Sequence, residues 1–436
     1  MAQLSMNNNA TFLDSSRIVR WCIYALVAFP LIDYTLHLPH IHPIGVIWDK
    51  VVLLILAIVA YRRWRRGIRP KWLPWHKFAG FYIVFGLALM FAGLVHPIEA
   101  AEGYRTDVYY MLFAFLIPYV VEAADVPKLL HVAASIAILI GIHGIYQYVV
   151  KAPIPASWVD LGEHVRTRVF SVLTSPNELG SYMALNIPLI VGLFLYDKHR
   201  WRRIFYGVGL VFCLGTQLFT YDRGSLLALA AALFVTAILF ERRLLIIIVL
   251  LGVVAFFIPS IHHRFTDLLS PVYFIKAAQG GRTVRWLTAF DNMLQNPLFG
   301  SGLGRYGGQV ASDYGLSVYS DGYYAKILGE SGLIGLVLFV SLHVALIRDF
   351  VRTGIRRMKG RNRYLMLGAF TGVLAIIFHN TVEHVFEFAP MAAMYFTLVS
   401  LYFIWARHQA DIPLDDVAQT SEPRPGTVST ESHASA

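Results

Sequence analysis

The chain alternates between long apolar runs and short polar connections. About twelve runs approach the twenty residues a helix needs to cross a bilayer. They lie at roughly 17–37, 43–61, 77–95, 107–122, 127–149, 178–197, 203–220, 224–240, 243–259, 323–347, 363–380 and 387–406. Run 107–122 is short, and only a few polar residues part the last two. A helix satisfies its backbone groups within one segment, which a lipid-facing run requires. The pattern therefore predicts an all-α polytopic membrane protein. Residues 1–16 form an N-terminal tail, and 17–259 carry spans one to nine. A large loop with short amphipathic helices fills 260–322, 323–406 carry the last three spans, and 407–436 form a second tail. That tail is rich in Ser, Thr, Pro and acidic residues with few large apolar ones, a composition that stays disordered. No small-residue cleavage site follows the first run near Ile18, so it is expected to be an uncleaved span.

Composition fits this picture: 57% of the 436 residues are hydrophobic and only 15% are charged, against about a quarter charged in soluble domains. The net charge of +10 does not point to nucleic acid, because the basic residues cluster in short connections between spans. Arg62, Arg63, Arg65, Arg66, Arg69 and Lys71 fill the second connection; Lys198, Arg200, Arg202 and Arg203 the sixth; Arg242 and Arg243 the eighth; and RDFVRTGIRRMKGRNR the tenth. All are even-numbered, which places them and both termini on the cytoplasmic side, the topology signal of an inner-membrane protein, and anionic lipid headgroups also favour them there. The fourth, VEAADVPK, carries little charge of either sign. Cys22 and Cys213 both fall in apolar runs, so neither a disulfide nor a metal site is expected.

The odd-numbered connections then face outward, and most polar residues suited to chemistry land there. Arg105, Arg166, Arg168, Arg223, Arg264, Arg282, Arg285 and Arg305 are concentrated on a side where basic residues are disfavoured. Arginine captures phosphate through two parallel hydrogen bonds, so the group reads either as a pyrophosphate site or as solvated and lipid-contacting loop residues. In RVFSVLTSPNELGSY, Ser175 to Glu178 form a turn and helix cap, with Asn177 expected to accept from the first free amides; Asn177 and Glu178 are also candidate ligands for substrate hydroxyls. Arg282, Arg285, Ala289 and Asn292 share one face of a short helix, with Trp286 and Phe290 beside them, and Asn296-Pro297 ends it. Gly300, Gly302, Gly304 and Gly307 follow as a flexible loop. Asp321 opens the next span, as a cap or as a base for a sugar hydroxyl. Lys326 and Glu330 are four apart and expected to pair. His379, Glu383 and His384 lack the spacing of a zinc site and are expected to line a cavity through hydrogen bonds.

The order RVFS…SPNELGSY, YDRGSLLAL, GRTVRW…NPLFGSGLGRYG and YYAKILGESGLIGLVLF resembles the O-antigen ligase / Wzy polysaccharide polymerase superfamily over roughly residues 100–400. The resemblance implies a metal-independent glycosyltransferase of GT-C type without cofactors, whose donor is a glycan on undecaprenyl pyrophosphate. It also implies arginines on the leaving pyrophosphate, matched here by Arg168, Arg223 and Arg282. A base is implied near the start of the span after the long loop. Ligases commonly carry His-Asn or His-Ser there, and this chain has Ser320-Asp321. The acidic residue shifts the expectation toward a polymerase of O-antigen, capsule or exopolysaccharide repeat units, with a chain-length regulator as a candidate partner. Two alternatives stand beside it. One is a ligase acting on lipid A-core. The other is a transporter, which would instead place its ionisable residues in broken helices at mid-span.

Overall fold

A computed structural model describes residues 16–93, 95–155, 158, 167–257 and 281–411. Arg166, Arg264, most of both tails and the first part of the long loop lie outside these residues. In chain order the helices are α1 (Ser16–Val27), α2 (Phe29–Leu36), α3 (His42–Arg65), α4 (Pro74–Ala92), α5 (Pro97–Asp107), α6 (Phe113–Val120), α7 (Val126–Val150) and α8 (Pro176–Tyr196). They continue with α9 (Arg200–Phe219), α10 (Arg223–Phe240), α11 (Leu244–Phe257), α12 (Arg282–Gln295), α13 (Gln309–Asp313), α14 (Tyr323–Asp349), α15 (Gly360–His379) and α16 (Ala389–Asp411).

Among the described residues eight helices are long and apolar enough to cross a membrane: α3, α4, α7, α8, α10, α14, α15 and α16. The pair α1–α2, bent by 89°, makes a ninth if it is one span. The count of twelve from the apolar runs is thus not reached, and each shortfall has a local reason. The first run breaks at Ala28, where Pro30 enters the first turn of α2. The 107–122 run is a short apolar helix over Tyr109–Val120. α9 opens with Arg200, Arg202 and Arg203 and is less apolar, and α11 has only 14 described residues.

The most enclosed spans are α8, α15 and α16. Gly368 and Gly372 of α15 bring two backbones together: a Cβ on either would lie 2.2 or 2.3 Å from the carbonyls of Pro188 and Leu185 in α8. Small residues four apart allow such close packing where no hydrophobic effect drives helix association. The pairing fixes the start of α8 against the end of α15. Cys22 and Cys213 are buried free thiols.

α14 is not continuous. Gly332 has φ +63° and ψ −161°, which no helix tolerates. The segment 297–302 fills the break: Leu333 N–H donates to the Pro297 carbonyl (2.9 Å), Ser301 N–H to that of Gly329 (2.9 Å), and Gly302 N–H to that of Glu330 (2.8 Å). Irregular backbone at membrane depth is tolerated where protein supplies the missing partners. Gly300, at φ +66°, sits so close that a Cβ would fall 2.5 Å from the Glu330 carbonyl carbon. The glycine run is therefore a fitted plug, not the flexible loop expected from sequence. It holds α12 against α14, where Asn292 Nδ2 adds a bond to the Gly329 carbonyl (3.0 Å).

Candidate functional site

The starts of α8, α10 and α14, the end of α15 and the α15–α16 connection meet at one end of the bundle. Ser175 caps α8, its Oγ accepting from Glu178 N–H at 3.1 Å. Glu178 is fully buried, and its Oε2 accepts from the Thr174 N–H (2.9 Å) and hydroxyl (2.6 Å). Its carboxylate closes the helix turn and faces the interior. Asp222 caps α10, accepting from the N–H groups of Gly224 (3.0 Å) and Ser225 (3.3 Å). These caps satisfy amides that a helix start leaves open.

Arg168 lies in front of α8 and points into the protein. Its Nε donates to the Thr220 carbonyl (3.0 Å), Nη1 to the Trp158 carbonyl (2.9 Å) and Nη2 to Asn177 Oδ1 (2.9 Å). Asn177 passes the connection on: its Nδ2 donates to Glu383 Oε2 at 2.6 Å. The chain Arg168–Asn177–Glu383 thus ties the pre-α8 segment and the end of α9 to the α15–α16 connection. Three residues singled out separately in the sequence form one clamp.

Asp321 precedes α14 in a left-handed conformation, φ +49°. Its Oδ2 lies 2.7 Å from Arg285 Nη1 of α12, and both side chains are about one-third exposed. Trp286 Nε1 donates to the Asp321 carbonyl (3.3 Å). α12 therefore presents an arginine to the acidic residue at the start of α14. Arg282 opens α12 and is exposed; Arg105, in the last turn of α5, is exposed; Arg223 and Arg305 are half-buried.

Beside Asp321 the polar groups turn inward. Ser320, 1% exposed, has its Oγ 3.0 Å from His384 Nε2. His384 Nδ1 is 2.9 Å from Glu387 Oε2. Glu387 Oε1 is 3.2 Å from Lys326 Nζ, which also meets Asp107 Oδ1 at 2.5 Å and Glu330 Oε2 at 2.9 Å. Tyr323 donates to Asp107 as well (3.1 Å). The expected Lys326–Glu330 pair is present, and two further carboxylates join it. Burial would raise the Glu387 carboxyl from its usual 4.5, but the Lys326 ammonium and His384 outweigh it and hold it at about 2. Burial and the charge of Glu387 both raise the Tyr319 phenol, so it stays neutral.

His379 forms a second buried centre. Its Nδ1 is 2.9 Å from Ser181 Oγ and its Nε2 3.3 Å from Asp222 Oδ2. Both histidines named from the sequence are therefore held by hydrogen-bonding neighbours. Among the described residues no group of three His, Cys, Asp or Glu is arranged to hold a metal ion. Asp107, Glu387, Ser320 and Asp222 complete these networks and were not singled out as site residues. Asp107 and Glu387 each stand at the edge of an apolar run, where a lone carboxylate is costly, and that was the available signal.

Residues 208–340 match the family model described as O-Antigen ligase. The match runs from within α9 into α14 and takes in Asp222, Arg223, the whole of α12, the glycine plug, Asp321, Lys326 and Glu330. No curated protein matches the chain.

Proposed function

We propose, for a chain that belongs to the O-antigen ligase / Wzy polysaccharide polymerase superfamily, the activity of a polysaccharide polymerase. It transfers a glycan from undecaprenyl pyrophosphate to a hydroxyl of a second lipid-linked repeat unit. The observation that carries this reading is the Asp321–Arg285 pair, 2.7 Å apart and one-third exposed, beside centres whose charges are buried. An accessible carboxylate next to an accessible guanidinium supplies the two functions the transfer needs. Asp321 takes the proton of the acceptor hydroxyl as its oxygen bonds to the anomeric carbon. The bond from that carbon to the pyrophosphate oxygen breaks, and the negative charge gathers on undecaprenyl pyrophosphate. Arg285, Arg282, Arg223 and Arg105 stabilise it electrostatically, with Arg285 passing from Asp321 to the leaving group. Arg168, Asn177 and Glu383 build the wall behind, and Glu178, His379 and His384 hold the helix ends in place. The site then lies on the extracytoplasmic face of the inner membrane, so that the lipid tail stays in the bilayer while the glycan is in water.

The test is an assay of the purified protein in detergent with an undecaprenyl-pyrophosphate-linked repeat unit as sole substrate. Longer lipid-linked products support the polymerase. The description of the matched family favours a second reading, a ligase: transfer to lipid A-core without elongation would move the assignment there. Neither product, with glycan flux across liposomes instead, would overturn both.

A further inference from the structure

His384 is buried, yet its ring is built to take a proton without losing a hydrogen bond. Glu387 fixes one side: its carboxylate lies 2.9 Å from Nδ1, so Nδ1 carries a hydrogen in either charge state. Ser320 Oγ stands 3.0 Å from Nε2, and also 3.1 Å from the Gly322 carbonyl and 3.2 Å from the Gly307 carbonyl. A hydroxyl has one hydrogen to donate. With the ring neutral, Ser320 donates to Nε2. With the ring cationic, Nε2–H donates to Ser320, whose own hydrogen turns to the carbonyl of Gly322 or Gly307. Both arrangements pair His384 and Ser320 fully.

The second arrangement has a consequence for its neighbour. A bond from Ser320 to the Gly322 carbonyl spans Asp321, whose φ of +49° is a conformation costing about 1–3 kcal/mol unless the surroundings hold it. The charge state of His384 therefore sets which bonds brace the turn that presents Asp321.

We infer that His384 is a positioning residue: through Ser320, it couples its own protonation to the conformation of the Asp321 turn. The inference rests on Asp321 being the base of the proposed transfer. Ser320 is 1% exposed, so it relays and does not meet the substrate. The ring is faced by Glu387 of its own connection, with the Tyr319 ring 5.6 Å away, while Glu383 Oε1 accepts from the His384 backbone N–H (3.1 Å). Behind Glu387 stand Lys326, Asp107 and Glu330, and the Gln309 N–H of α13 donates to its carboxylate (3.2 Å). Asn177 of α8 holds Glu383, and Arg285 of α12 holds Asp321. The Glu387 carboxyl, held at about 2 by Lys326 and His384, keeps its charge beside the ring.

The test has one arm that needs no turnover. In protein labelled with 15N at histidine and 13C at aspartate carboxyls, His384→Asn and Asp321→Asn assign the two signals. The neutral His384 ring is expected to carry its hydrogen on Nδ1. The Asp321 carboxyl shift is expected to inflect at the pH where His384 titrates, and to lose that inflection in Ser320→Ala. A hydrogen on Nε2, or an Asp321 shift indifferent to Ser320→Ala, would overturn the inference whatever the protein's activity. In the elongation assay His384→Asn and Ser320→Ala should each lower kcat about tenfold, the scale of one hydrogen bond, with KM kept. The His384 limb of the pH profile should vanish in both and return in Ser320→Thr. Reduced yield of folded protein with an unchanged profile would mean that the pair only supports the fold.

Discussion

The two ends of the helix bundle use charge in opposite ways. At the basic end, arginines reach helix carbonyls: Arg63 donates to Tyr119 (3.0 Å), Arg361 to Asp197 (3.1 Å) and Arg363 to Phe240 (2.9 Å). These carbonyls lie at or just past the ends of α6, α8 and α10, where the last turn has no intrahelical donors and the dipole favours cations. At the opposite end, Lys326 is 2% exposed among Asp107, Glu330 and Glu387, and one arginine meets a carboxylate at a point open to solvent. The first arrangement costs little to build and tolerates change. The second places charges where water cannot screen them, which is expensive unless the geometry is complete. An arginine is thus classified by what it touches: Arg361 ends a helix, Arg168 clamps a wall, and Arg285 stands ready beside Asp321.

Substitutions at the two ends should separate accordingly. Lys326→Ala leaves three buried carboxylates without their cation and should cost about 3–5 kcal/mol, read as a large fall in melting temperature in detergent. An unchanged melting temperature would show that the cluster is hydrated. Arg168→Ala removes the hydrogen bonds to the Thr220 and Trp158 carbonyls and to Asn177 and should cost about 1–3 kcal/mol. It should therefore lower the melting temperature together with turnover; loss of turnover alone would make Arg168 a substrate ligand. Glu387 sharpens the contrast through pH. Its carboxyl falls from 4.5 to about 2 on folding, so its contribution is complete above 4.5 and is lost as pH drops from there toward 2. Glu387→Gln should flatten that part of the curve of melting temperature against pH. Smallest of all, Arg361→Ala at the basic end should change stability by about 0.5 kcal/mol or less, and a larger loss would break the distinction between the ends.

Much of the frame was legible because membrane-length apolar runs leave helices as the only solution. The helix from Arg282 and the Lys326–Glu330 pair followed from local spacing, as did a cap before α8, although Ser175 makes it where Asn177 was expected to. What stayed hidden depends on distance along the chain. Asp107 meets Lys326 across 219 positions, and Asn177 meets Glu383 across 206. The plug at 297–302 pairs backbone with backbone, which side-chain patterns do not encode; Gly300 and Gly332 marked the place but read as a flexible loop and an ordinary span. The main-chain carbonyls of Thr220 and Trp158 that Arg168 meets are invisible in a sequence. Gly368 and Gly372 carry a visible small-residue spacing that marks the α8–α15 contact.

The central claim is that transfer occurs at the open Asp321–Arg285 pair. Elongation of an undecaprenyl-pyrophosphate-linked repeat unit should be compared between the wild-type protein and Asp321→Asn, both shown to be folded by their melting curves. The account predicts elongation by the wild type and a loss of at least about 100-fold in the variant, the scale of a removed general base. A folded Asp321→Asn protein that elongates at the wild-type rate would contradict it.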